Sequence, residues 1–145
     1  MSRRRAFLTA LQGALGCPYT WGGQGPDGYD CSGLVLYCLN EAGFNLPDMT
    51  ADDLYEKYHD NKILKSDAQP GSLFFYWNAE QSKLSHVMAV YRQWPCGYRV
   101  LAGARGGNAS TVTDREAAEL GAMVAVVPET YMAARFAFAI DPFME

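Results

Sequence analysis

Apolar residues follow a helical repeat in the first half of the chain. Positions 7, 8, 11 and 15 are apolar at helical spacing and predict a first helix. Positions 34, 35, 38 and 39 predict a second helix that begins at Cys31, with Asp30 as its N-cap and Gly43 as its terminator. Thr50 and Asp53 have the spacing of a capping box, which predicts a short third helix ending near position 58.

The second half of the chain instead has short aromatic and β-branched runs bounded by turn residues, the pattern of β-strands. Strands are predicted at 73–77, 86–91, 98–102, 123–127 and 135–140, and a helix at 114–120 between Thr113 and Gly121. Helices gathered before strands favour an α+β domain over alternating βαβ units. We therefore expect N-terminal helices packed on an antiparallel sheet of about five strands.

Length and composition set limits on the class of protein. The 145 residues, 49% of them hydrophobic, predict one globular domain over 1–145. The net charge of -4 and the lack of a basic stripe argue against a nucleic-acid partner. No run of about 18 apolar residues is present, so no membrane partner is expected.

The N-terminus and the cysteines each leave an alternative open. Arg3 to Arg5 and the A-L-G-C run at 14–17 faintly resemble a signal sequence, but Gln12 and Gly13 interrupt the apolar stretch, so a first helix is preferred and no clear signal peptide is expected. The four cysteines form no C-x-x-C pair and no zinc-like grouping with histidine. We expect free thiols, no metal and no cofactor.

Cys31 is the candidate nucleophile because a helix N-terminus favours a thiolate and is expected to lower the pKa of a cysteine. Ser32 and the following glycine offer backbone donors near a developing oxyanion. The chain has two histidines, and His86, which opens an apolar strand, is preferred as base over His59 at a polar helix end. Inert packing of Cys31 and a structural histidine are the alternative readings.

Four segments in order resemble the signature of the NlpC/P60 family of papain-like cysteine peptidases. They are P-Y-T-W-G-G at 18–23, D-C-S-G-L-V at 30–35, Q-P-G-S-L-F-F at 69–75 and S-H-V-M-A-V-Y at 85–91. The resemblance implies a circularly permuted papain-like fold and hydrolysis of amide bonds in peptidoglycan stem peptides, often between D-glutamate and diaminopimelate. It assigns Cys31 as nucleophile, His86 as general base and acid, and Tyr19 to the oxyanion region, with Trp21 and Asp30 as further substrate-binding candidates.

The chain departs from the family pattern at three places. Ser72 stands where the family usually has aspartate, and Met88 where it usually has glycine. The family's third catalytic member, a His, Asn or Gln on the strand after the histidine strand, has no clear counterpart. A hairpin turning near position 94 is expected to place Ala102 and Gly103 opposite His86, and Asn108 is the nearest downstream amide.

Two alternatives stay open on the same fold: an amidase or acyltransferase with another substrate, and a catalytically weak cell-wall binding module. The run around Gly106-Gly107 and the end of the chain resemble members of the family encoded with phage tail proteins. This resemblance implies phage tail or virion proteins as partners. The expected location is a phage particle, or the cytoplasm with release to the cell wall.

Overall fold

The computed structural model describes residues 2–20, 23, 28–105 and 121–144, and in this part three α-helices precede an antiparallel sheet. The α+β prediction is confirmed. The helices are α1 (Arg3–Ala14), α2 (Cys31–Glu41) and α3 (Ala51–Tyr58). The strands are β1 (Lys62–Ile63), β2 (Leu73–Trp77), β3 (Leu84–Gln93), β4 (Arg99–Arg105), β5 (Met123–Pro128) and β6 (Phe136–Ile140).

The predicted helix starts are confirmed by their capping contacts. The Asp30 side chain accepts a 2.6 Å hydrogen bond from the backbone N–H of Gly33, which fixes Cys31 as the first residue of α2. At α3, the Thr50 hydroxyl accepts from the Asp53 N–H, and the Asp53 carboxylate accepts from the Thr50 N–H. Local side-chain chemistry therefore determines where both helices begin.

Among the described residues, the sheet has six strands in the order β1-β6-β2-β3-β4-β5, one more than the sequence predicts. The additional strand, β1, pairs with β6 over two residues, which is too short for a hydrophobic repeat to reveal. The five predicted strands are present with ends shifted by up to three residues. The helix predicted at 114–120 lies outside the described residues.

The two faces of the sheet bury different clusters. All three helices contribute to the core on the first face, where Leu34 and Leu39 of α2 join Val87 and Ala89 of β3 in one cluster. The second face carries a smaller cluster that contains Phe74, Tyr76, Met88, Val90 and Leu101. The connection from β5 to β6 covers this second cluster, since Tyr131 and Met132 pack against it.

The pairing of β3 with β4 corrects the expected register around His86. Ala102 pairs with Ala89, not with His86, and a bulge shifts the register between Val90 and Arg92. The pairing of β3 with β4 ends at Ala89 and Ala102, so within the described residues His86 has no paired residue on β4, and Gly103 lies against the side chain of Met88. The prediction failed because the hairpin turns around Cys96, between the paired residues Gln93 and Arg99, and not near position 94. This moves every later pair, and the one-residue bulge offsets only part of the shift.

Candidate active site

Cys31 lies where the N-terminus of α2 meets the start of β3. Its Sγ is 3.8 Å from the carbonyl oxygen of Ser85, to which the thiol donates. The backbone N–H groups of Ser32 and Val87 also act on the sulfur and favour the thiolate. The N-terminus of α2 thus places the thiol against the backbone of Ser85 and Val87, the two residues that flank His86.

Burial is the largest influence on the pKa of the Cys31 thiol. The pKa of Cys31 rises to about 11, chiefly because the sulfur is removed from water, and the nearby Asp30 carboxylate raises it further. The backbone donors oppose this shift but do not cancel it. The N–H groups at the start of α2 do lower the pKa of Cys31, as expected, but burial outweighs them and the net shift is upward.

The loop before α2 is held in place by the end of the sheet. The N–H of Gly16 donates to the carbonyl of Val124 at 2.8 Å, and the N–H of Tyr19 donates to that of Ala122 at 3.1 Å. Tyr19 is buried, and its pKa is raised first by burial and then by the charges of Cys31 and Asp30. The Tyr19 phenol is therefore close enough to Cys31 for the charge of the thiolate to raise its pKa.

Close backbone contact explains the glycine at position 33. A Cβ at Gly33 would overlap the carbonyl oxygen of Gly23, and it would lie 2.7 Å from Asp30 Oδ1. The same Gly23 carbonyl accepts from the Asp30 N–H at 3.0 Å. Ser32 Oγ lies 3.5 Å from Asp30 Oδ1 and completes the turn that carries Cys31.

A cleft of about 380 Å³ opens over the thiol. Residues from the loop before α2, from α2, from α3 and from the start of β3 line it, among them Tyr19, Cys31, Ser32, Asp52, Lys83 and Ser85. Asp52 Oδ1 accepts a 3.0 Å hydrogen bond from the Leu84 N–H and so ties α3 to the start of β3. Asp52 and Lys83 were not among the candidates from the sequence, since neither lies in a signature segment.

His86 is partly exposed, but its Nε2 is enclosed and has no hydrogen-bond partner among the described residues. Its imidazole lies beside the ring of Tyr76, with 5.7 Å between ring centroids, and burial lowers the pKa of His86 to about 4. The structure brings the backbone around His86 to the thiol. It shows no hydrogen bond between imidazole and thiol within the described residues.

The other candidates lie elsewhere. His59 follows α3, is about half exposed, and has Nδ1 3.3 Å from Asp60 Oδ1. Neither His59 nor His86 is among the described residues that line the cleft. Trp21 and Asn108 lie outside the described residues. Within the described ranges, no cluster of three or more His, Cys, Asp or Glu side chains has the geometry to hold a metal ion, and no helix has the length and hydropathy of a membrane span.

Known proteins with the same features identify the family. The model of the NlpC/P60 family matches residues 16–136. A probable endopeptidase p60 of Listeria grayi is 44% identical over 62 residues, which are 43% of this chain and 12% of that protein. The chain thus spans a small part of the length of this curated relative.

Solved structures show the same fold. The peptidoglycan hydrolase RipB of Mycobacterium tuberculosis superposes with a TM-score of 0.69 at 22% identity, over 99% of this chain and 65% of that one. RipD of the same organism, described as a non-catalytic NlpC/p60 domain protein adapted to peptidoglycan binding, gives a TM-score of 0.65 at 20% identity, over 97% of each chain. The papain-like fold is confirmed, and the chain belongs to the NlpC/P60 family.

Proposed function

We propose that this chain is a cysteine endopeptidase that hydrolyses amide bonds in the stem peptides of peptidoglycan. The observation that carries the proposal is the position of Cys31, whose thiol lies in a cleft between a helix N-terminus and the strand of His86. Membership of the NlpC/P60 family and the endopeptidase name of the Listeria relative support it.

In this proposal, His86 acts as a general base rather than as half of a preformed ion pair. With a thiol pKa of about 11 and an imidazole pKa of about 4, both groups are neutral in the free protein at pH 7. As Sγ bonds to the carbonyl carbon, the thiol proton passes to the imidazole. This transfer requires the imidazole to approach the thiol when substrate binds, because no hydrogen bond joins them in the described structure.

The negative charge of the tetrahedral intermediate needs donors near Cys31. The N–H of Gly33 is used by the Asp30 cap, so the backbone N–H groups of Cys31 and Ser32 are the helix donors proposed for the oxyanion, with the Tyr19 hydroxyl beside them. The imidazolium then gives its proton to the leaving amine, and the C–N bond breaks. Water, deprotonated by His86, releases the acid from the thioester.

The finer proposal is cleavage between D-glutamate and diaminopimelate. Such a substrate carries carboxylates on both sides of the scissile bond, and Lys83 is the cation among the described residues that line the cleft. Asp30 and Asp52, which line the same cleft, repel a substrate carboxylate, so Lys83 is the lining side chain suited to bind it.

A stem peptide of defined sequence tests the bond assignment. We expect hydrolysis of L-Ala-γ-D-Glu-diaminopimelate to release free diaminopimelate, which mass spectrometry detects. Amidation of the substrate carboxylates should raise KM in the wild type but not in Lys83→Gln. Cleavage at L-Ala-D-Glu, or transfer of the acyl group to an added amine in preference to water, would contradict the proposal and favour the amidase or acyltransferase alternative.

A second candidate function is a peptidoglycan-binding module without turnover. It is favoured by one observation, the His86 Nε2 that lacks a partner in the described part of the chain, and RipD shows that the fold occurs in a non-catalytic protein. Binding of labelled sacculi with no release of soluble fragments would favour this candidate. The phage association and the predicted location stay predictions from the sequence.

A further inference from the structure

Two enclosed polar atoms lie on neighbouring side chains of the second face of the sheet. Tyr76 and His86 are directly paired across β2 and β3, so their side chains lie side by side. The Tyr76 hydroxyl and His86 Nε2 are both buried, and neither has a hydrogen-bond partner among the described residues. Buried polar atoms without partners are rare in folded proteins, so two on adjacent rings require a physical reason.

The neighbouring strand β4 does not supply a hydrogen-bond partner for His86 Nε2 within the described residues. Gly103 faces Met88, which lies two residues after His86 on β3, and has no side chain. Met88 fills the space in front of it, since a Cβ at Gly103 would lie 2.9 Å from both Cγ and Cε of the methionine. Within the described residues, β4 therefore offers no amide or imidazole to the buried nitrogen of His86.

We propose that Tyr76 is the positioning residue for His86, its hydroxyl accepting a hydrogen bond from Nε2–H when the imidazole acts on Cys31. This inference rests on the proposed function, because a positioned base matters only if Cys31 reacts. A donor at Nε2 fixes the tautomer in which Nδ1 carries the lone pair, and Nδ1 is then free to take the thiol proton. The orienting group thus comes from β2, on the opposite side of β3 from the strand expected to supply it.

The surroundings of the Tyr76 hydroxyl support an acceptor role. Burial raises the pKa of Tyr76, and the charges of Glu129 and Tyr131, from the connection after β5, raise it further, so the phenol stays protonated. Glu129 is itself held by Arg99, with Oε1 2.7 Å from Nη2, and the Arg105 guanidinium lies 5.9 Å from the ring of Tyr131. A neutral hydroxyl can accept from Nε2–H while donating toward this carboxylate.

The test compares Tyr76→Phe with a matched control, Tyr55→Phe, whose ring stacks on Phe138 at 4.7 Å on the first face. Nitrogen-15 NMR reports the tautomer of each of the two histidines, and the variant His59→Gln assigns the signals. We expect the wild-type His86 to be the Nε2–H tautomer, and Tyr76→Phe to mix the tautomers and to reduce kcat at least about tenfold with little change in KM. Tyr55→Phe should change neither.

Three outcomes are decisive. A wild-type His86 in the Nδ1–H form overturns the proposal without any variant, as does a Tyr76→Phe protein with unchanged tautomer and kcat. A loss of about a thousandfold in Asn108→Ala with intact folding would also overturn it, because the orienting group would then be Asn108. If the tautomer shifts in Tyr76→Phe but the wild type cleaves no stem peptide, the contact is supported and the proposed function fails.

Discussion

Met88 and Gly103 face each other across β3 and β4, and the methionine fills the space that a side chain at 103 would need. The family resemblance implies the reverse arrangement, with glycine at 88 and an orienting side chain on the next strand. The two departures from the family pattern are therefore complementary. Met88 fills the smaller cluster on the second face, and position 103 has no side chain that could orient His86 as the family's third catalytic member does.

This contact predicts coupled stabilities. Gly103→Ala should destabilise by about 1–3 kcal/mol because Met88 has to move, and Met88→Ala by about 2–5 kcal/mol because it leaves a cavity. The double variant should lose less than the sum, by about 1 kcal/mol or more, since the smaller side chain at 88 admits the new methyl group. Urea unfolding of the four proteins measures the coupling, and strict additivity would contradict the contact.

Gly33→Ala should damage the active site by a purely steric route. The added methyl group collides with the Gly23 carbonyl, a backbone atom that cannot move without displacing the loop before α2. We expect a loss of about 1–3 kcal/mol in the free energy of unfolding together with a lower hydrolysis rate. Gly13→Ala is the control, because a Cβ there meets nothing within 4 Å. Equal behaviour of the two variants would show that the close approach is not present in solution.

The pH dependence of Cys31 alkylation follows from its burial. Because the folded protein raises the pKa of Cys31 to about 11, the thiolate fraction grows as pH rises toward that value. Iodoacetamide should therefore modify Cys31 more slowly at pH 7 to 8 than a small free thiol with pKa near 8.5. Peptide mapping by mass spectrometry isolates this cysteine from the other three. A rate that is already maximal near pH 6 would indicate an ion pair with His86 in the free protein.

The two histidines should behave differently. His86→Ala is expected to remove hydrolysis, since the proton of Cys31 then has no base in reach, with a loss of about 100-fold or more in kcat. His59→Ala should keep the wild-type rate, because His59 follows α3 at the surface, whereas the backbone beside His86 contacts the Cys31 thiol. Circular dichroism checks that both variants fold. Similar losses in both would contradict the assignment of His86 as base.

The sequence predicts those parts of the molecule that local chemistry determines. Asp30 and Thr50 are capping residues whose partners lie three positions away, so both helix starts follow from spacing alone. The register of β4 against β3 could not be predicted in this way, because it depends on where the hairpin turns, between Gln93 and Arg99, and on a bulge that forms only when the strands pair. The net pKa shift of Cys31 could not be predicted either, since the helix N-terminus that lowers the pKa is visible in the sequence and the burial that outweighs it is not.

Tyr76 illustrates the same limit within the site. In the sequence it is one of several aromatic residues in a strand, and nothing distinguishes it from Phe74 or Phe75 beside it. Its pairing with His86 and its enclosed hydroxyl are visible only in the folded sheet.

Digestion of purified sacculi by the wild type and by Cys31→Ala tests the central claim most directly. Alanine suits a helix and removes only the sulfur, so the variant should fold and bind as the wild type does. We predict that the wild type releases soluble peptides with new termini between D-glutamate and diaminopimelate, and that Cys31→Ala releases none. Wild-type turnover retained by Cys31→Ala would contradict a thiol mechanism.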